Sequence, residues 1–358
     1  MDAFNEEASR AILSHGDVVS KMVVGRKYAD EPEFWERYGE EGRRKSLEDA
    51  KFHLVYLAEA IAVSDPSLFI DYVAWVKVLF KDLNFPDHVL PATLECTREA
   101  LKEILPHGMH GLVDAYIDAA LKQLQVSPSV VGSFIHDGLP LAGLARLYLE
   151  ALLRGERHRA SRLVLDAVEG GTPLRDIHLS IFQPTQYEIG RLWQMNRLSV
   201  AQEHYCTAAT QLIMSQLYPY LFSTERIGKR LVATCIGGKL HEIGVRMVAD
   251  FFEIEGWDTY YVGANTPVES ILRTIGEQKA DLLAISATMT FHIGSMIELI
   301  DRVQLSNVEK KVKILVGGYP FNISPDLWRR VGADGVARDA EEAVRVGRRL
   351  VEADPHEG

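Results

Sequence analysis

The last third of the chain constrains the fold most. Short apolar, β-branched runs alternate there with helical stretches of about ten to fifteen residues. The runs are 231–236, 259–262, 281–286 and 313–316, and a last strand–helix pair spans 335–351. Helical patterns fill 243–255, the stretch from Pro267, and 294–305. Such alternation predicts an α/β module over 228–358, with a parallel, doubly wound sheet of the Rossmann-like or flavodoxin-like kind. Ligands of these sheets sit beyond the carboxyl ends of the strands. The loops there are 237–244, 263–267, 286–294 and 317–322, each bearing glycine, and they are the candidate binding edge.

Everything before Thr224 reads as helix, in two regions. Residues 1–126 form the first, an expected four or five helices. Asp65-Pro66 starts one helix, the Asp able to cap and the Pro pre-set for the first turn. Its apolar spacing runs through Leu68, Phe69, Tyr72, Trp75, Val76, Leu79 and Phe80. Phe85-Pro86 ends that helix, Pro91 opens the next, and Pro106-His107-Gly108 closes it. The second region, 127–224, reads as a four-helix bundle punctuated by Gly138-Leu139-Pro140 and Gly170-Gly171-Thr172-Pro173. Its last helix, 199–218, carries Val200, His204, Ala208, Leu212 and Ser215 along one stripe.

Charge narrows the function. Lys plus Arg number 39 against 50 Asp plus Glu, a net of -11. The first 125 residues alone hold 14 basic and 22 acidic side chains. A nucleic-acid binder needs a basic face, so direct DNA or RNA partners are not expected. Cys96, Cys206 and Cys235 are distant and odd in number, which suits a reducing compartment. The acidic N-terminus lacks the basic and apolar regions of a signal peptide, and no run approaches a membrane span. A cytoplasmic location is expected.

The loop after the first strand has neither dinucleotide nor P-loop glycine spacing. Its distinctive member is His241, between a strand end and a helix start, and imidazole is the commonest transition-metal ligand. Lys239-Leu240-His241-Glu242-Ile243-Gly244, Ser286 with Thr290, and Gly317-Gly318 resemble the DxHxxG, Ser…Thr and Gly-Gly signature of the cobalamin-binding Rossmann domain of methionine synthase and related proteins. The resemblance implies that His241 is the lower axial ligand of cobalt. It places Gly244, Ser286 and Thr290 along the nucleotide tail, and Gly317 and Gly318 beside the displaced base. Lys239 stands where that family has Asp, so the usual carboxylate partner of the imidazole is missing.

Upstream, Trp193, nine residues, then Glu203-His204 is similar to the helical cap over the upper face of cobalamin in light-sensing, adenosylcobalamin-dependent photoreceptors. That resemblance implies an indole stacked on adenine, Glu203 and His204 at the ribose hydroxyls, and a light-dependent change of a homo-oligomer, dimer or tetramer. Gln194 replaces the His that follows the Trp in DNA-binding members, which leaves His178 and His204 as replacement upper ligands. The aromatic stretch Phe69, Tyr72, Trp75, Phe80 and Phe85 resembles photocobilins, which implies biliverdin as a second chromophore, with Cys96 a possible attachment point. Two alternatives stay open. One is a non-enzymatic methyl-carrying corrinoid protein of a methyltransferase system. The other is a B12-responsive regulator acting through a partner protein.

Overall fold

A computed structural model describes residues 2–222, 224–236, 242–306 and 311–352. The chain divides into two compact units. Unit 1 is Met1–Val130 with Met289–Gly294 and Ile323–Val331; unit 2 is Val131–Thr288, Ser295–Asn322 and Gly332–Gly358.

Unit 1 is helical: α1 (Ala3–Ser14), α2 (Gly16–Asp30), α3 (Pro32–Glu36), α4 (Gly39–Ala62), α5 (Pro66–Asp82), α6 (Val89–Ile104) and α7 (His110–Val126). Asp65 caps α5 as the sequence predicts, its carboxylate accepting from the Ser67 amide at 3.0 Å. Seven helices stand where spacing predicts four or five. The extra breaks fall at Gly16, Pro32 and Gly39, single residues that a reading by apolar spacing passes over; Gly39 takes a left-handed φ of +60.

Of the aromatic stretch, Phe69 and Tyr72 of α5 are buried in the core, while Phe80 and Phe85 are half-buried in ring clusters. Tyr72 stacks on Tyr56 at 3.7 Å between centroids and lies 6.3 Å from Phe69. Phe85 packs with Phe80 at 4.9 Å, Tyr38 at 5.8 Å and Trp35 at 6.0 Å. These rings join helices to one another, a use that accounts for them without a second chromophore.

Unit 2 begins with helices α8 (Ala142–Leu153), α9 (Arg157–Glu169), α10 (Leu174–Ile177), a π-helical turn (His178–Phe182), α11 (Gln183–Gln194), α12 (Val200–Gln216) and α13 (Tyr218–Leu221). Ser199 and Gln202 form a reciprocal capping box at the start of α12. The buried face of α12 is Cys206, Ala209, Thr210, Ile213 and Met214, whereas Val200 and Leu212 are exposed. The predicted stripe therefore points outward. The first half of the packed side is Cys206, Ala209 and Thr210, and only Ile213 and Met214 near its end are large and apolar, so periodicity does not single out that face.

The sheet follows: β1 (Arg230–Ile236), α14 (Ile243–Ile254), β2 (Asp258–Ala264), α15 (Val268–Gln278), β3 (Leu282–Ala287), a 3-10 turn (Thr290–His292), α16 (Ile293–Leu305), β4 (Lys313–Gly317), α17 (Tyr319–Ile323), α18 (Leu327–Arg330), β5 (Gly335–Ala337) and α19 (Ala340–Glu352). All neighbours are parallel, in the order β2-β1-β3-β4-β5. This is the doubly wound, flavodoxin-like order, with its switch point between β1 and β3. The predicted strands and crossover helices are all present; the short α17 and α18 were not foreseen. Ile181, Phe182 and Ile213 of the helical part share one buried cluster with Phe251, Phe252 and Leu282 of the sheet part. No helix among the described residues is long and apolar enough to cross a membrane.

Candidate functional site

At the switch point, Ser286 on β3 is paired between Cys235 of β1 and Gly317 of β4. A doubly wound sheet opens its crevice at such a place. Lys239 and His241, in the loop leaving β1, lie outside the described residues. Their neighbour Glu242 is described, and it spans two elements. Its Oε1 accepts from the Gln211 amide of α12 at 2.9 Å, and its Oε2 accepts from the backbone N–H of Ala264 at 3.1 Å. Burial, reinforced by this carboxylate, pushes the Cys235 thiol up to about 11 and the Tyr261 phenol well above its ordinary value. Glu242 thus places a carboxylate on the β2 side of β1, where burial already disfavours a second negative charge.

The three glycines of the resemblance have different physical reasons. A Cβ on Gly244, in the first turn of α14, would meet nothing within 4 Å. Gly318 has φ +103, and a Cβ there would lie 2.0 Å from the Ala287 carbonyl oxygen. A Cβ on Gly317 would come within 2.8 Å of the Ala337 carbonyl oxygen. Packing of the sheet therefore demands Gly317 and Gly318 by itself, while nothing in the protein demands Gly244. Thr290, buried at the start of the 3-10 turn, belongs to unit 1.

On the helical side, Glu203 sits in the first turn of α12. One carboxylate oxygen accepts from Thr207 Oγ1 at 3.0 Å; the other is 2.5 Å from His204 Nδ1. Gln186 of α11 donates to Thr210 Oγ1 at 2.9 Å, and Thr210 meets the Tyr148 hydroxyl at 2.9 Å. Glu203, Thr207, Thr210 and Gln211 make a polar row at helical spacing, one residue away from the stripe that sequence periodicity selects. Thr207, Gln186 and Gln211 were missed for that reason; the i, i+4 recurrence of hydrogen-bonding types was the available signal. Trp193 is partly exposed and His204 largely so.

His178 cannot serve as a replacement ligand in this arrangement. It is fully buried, its Nδ1 is 2.8 Å from the Leu174 carbonyl oxygen, and its Nε2 is 3.1 Å from Asp250 Oδ2 on α14. It fastens the π-helical turn to the sheet layer. Gln194 is likewise buried. Glu188, on the same helix as Trp193, accepts from Arg191 at 2.5 Å and from the Phe134 amide at 2.9 Å. Burial opposes its ionisation, yet these donors hold its carboxyl below the usual range.

Space over Gly244, the Ser286 hydroxyl at the switch point and the polar row of α12 suit a large cofactor with many polar edges. Comparison with known proteins agrees. Residues 229–346 match the model of a B12 binding domain, and residues 144–218 match a second B12 binding domain model. Dimethylamine corrinoid protein 2 of Methanosarcina acetivorans is 26% identical over 168 residues, which is 47% of this chain and 74% of that protein. Trimethylamine corrinoid protein 1 of Methanosarcina mazei is 26% identical over 159 residues, 44% of this chain and 71% of that protein. The fold resembles the Methanosarcina barkeri monomethylamine corrinoid protein structure at a TM-score of 0.52 and 22% identity, covering 60% of this chain and all of that one. The chain therefore carries two B12-binding domains, a helical one ahead of a Rossmann-like one.

Proposed function

We propose that the chain is a corrinoid carrier protein that delivers methyl groups within a methyltransferase system and has no catalytic residues of its own. The observation that carries this reading is the similarity to methylamine corrinoid proteins, which extends over about three quarters of the length of dimethylamine corrinoid protein 2. His241 would hold the cobalt, and Gly244, Ser286, Thr290, Gly317 and Gly318 would hold the corrinoid's nucleotide portion. Lys239 cannot accept the imidazole proton. When bound, the corrinoid supplies a cobalt–carbon bond that can be made and broken. The exposure of His204 and Trp193 suits a carrier, whose upper face must meet partner domains.

A second reading is an adenosylcobalamin light sensor. Glu203, steadied by Thr207 and His204, offers a carboxylate suited to ribose hydroxyls, and Trp193 offers a broad, partly exposed indole. Light-dependent assembly of a dimer or tetramer belongs to this reading alone. Biliverdin gains no support from rings that pack against one another.

Binding of methylcobalamin and adenosylcobalamin, each followed by size-exclusion chromatography in the dark and after green light, separates the two. A carrier is expected to bind both within about tenfold and to keep its size in light. Strong preference for adenosylcobalamin, with a light-driven change of size, would overturn the carrier reading.

A further inference from the structure

Two segments that follow sheet strands in sequence belong to unit 1. They are 289–294, after β3, and 323–331, after β4. The first is gripped by α4. Gly294, in the opening turn of α16, donates its backbone N–H to Glu59 Oε2 at 3.2 Å. A helix start leaves such amides without an internal partner, so a carboxylate from 235 residues away completes the cap. Phe291 stands edge-on to Tyr56 at 5.5 Å and lies 6.3 Å from Phe52. Tyr56 also reaches Met289 Sδ at 4.0 Å and stacks on Tyr72, whose hydroxyl is 2.9 Å from His53 Nδ1.

The second segment is gripped at the α4–α5 junction. Arg330 donates to the carbonyls of Val63 and Ser64 at 2.8 and 3.1 Å and lies 3.2 Å from Asp65. Ser324 donates to the same Asp65 that caps α5. Each grip uses a group that a helix end of unit 1 or of the segment itself leaves open. The attachment is thus built from directional bonds rather than from apolar contact alone.

We infer that Glu59 and Tyr56 are positioning residues for corrinoid binding, fixing the 289–294 segment and through it Thr290. The assignment of Thr290 to the nucleotide tail rests on the functional reading above. A segment already held in place costs less to order when the tail arrives. Burial pushes the Glu59 carboxyl up to about 7, against the pull of the Gly294 amide, so the group is held in a desolvated place for this contact. The matched models begin at residue 144, so neither of them covers Glu59 or Tyr56.

Hydroxocobalamin binding by the full chain, with hydrogen exchange of α4 and of 289–294, provides the test. In wild type, adding hydroxocobalamin is expected to slow exchange in both segments. Glu59→Ala is expected to weaken binding about tenfold and to abolish the α4 protection. Glu59→Gln keeps an acceptor oxygen for the Gly294 amide and is expected to restore both. Tight binding with unchanged α4 exchange, or equal affinity in Glu59→Ala, overturns the positioning role while leaving B12 binding intact. Failure of wild type to bind hydroxocobalamin at all would overturn the cofactor reading, and this inference with it.

Discussion

Glycines separate structural demand from ligand demand at the residue scale. Gly318 is required by its left-handed φ of +103 and by the Ala287 carbonyl, so Gly318→Ala is expected to cost at least ~2 kcal/mol in urea unfolding. Gly244 has open space where a Cβ would go, in a helical backbone that favours alanine. Gly244→Ala is therefore expected to keep or slightly raise stability while weakening cobalamin binding severalfold, because the added methyl would stand where the tail passes. Equal cobalamin affinity in Gly244→Ala would remove that residue from the site. Both glycines belong to one sequence signature, and only the structure distinguishes their reasons.

His53 ties α4 to α5 at the element scale. Its Nδ1 is 2.9 Å from the Tyr72 hydroxyl. Burial, with a smaller push from Lys27, lowers its pKa to about 3 from an ordinary 6.5. The folded protein thus holds His53 neutral over a range where the unfolded chain binds a proton. Its contribution to stability is present above pH 6.5 and is lost as pH falls toward 3, at up to ~1.4 kcal/mol per pH unit. Between pH 7 and pH 5, urea midpoints of wild type should fall more steeply than those of His53→Gln; parallel slopes would show that His53 protonates freely in the fold. The elements themselves were unevenly legible. Strands of the parallel sheet announce themselves as apolar runs closed by glycine, because burial on both faces leaves no other composition. The Asp65-Pro66 cap was equally plain. The junction at Tyr38–Gly39, marked by one glycine, and the packed face of α12, which mixes alanine, cysteine and threonine with Ile213 and Met214, carry less contrast. For the candidate site, the Gly-Gly pair, Ser286 and the Glu203-His204 pair are proposals the sequence itself offers. Glu242, Gln211 and Asp250 are not, since their partners lie 31, 31 and 72 residues away.

Net charge and unit boundaries bear on one question at the scale of the whole molecule: why an acidic helical unit accompanies two B12-binding domains. Its acidity is largely solvated, with helix-surface pairs such as Arg44 with Glu41 and Glu48 at 2.6 and 2.5 Å. Exposed pairs of this kind add little stability, and the coupling proposed above uses instead the partly buried Glu59 and the buried Tyr56. Linkage then makes a thermodynamic prediction. A ligand present at one hundred times its Kd stabilises the folded form it binds by ~2.7 kcal/mol. If 289–294 needs unit 1 to hold its shape, unfolding of unit 1 weakens binding, and the ligand must stabilise unit 1 as well. Calorimetry with saturating hydroxocobalamin is then expected to raise the melting of both units, by several degrees each at this size. In Glu59→Ala only the transition of unit 2 should respond. A wild-type transition of unit 1 that ignores the ligand would mean that the helical unit carries no information about the cofactor, whatever else it binds.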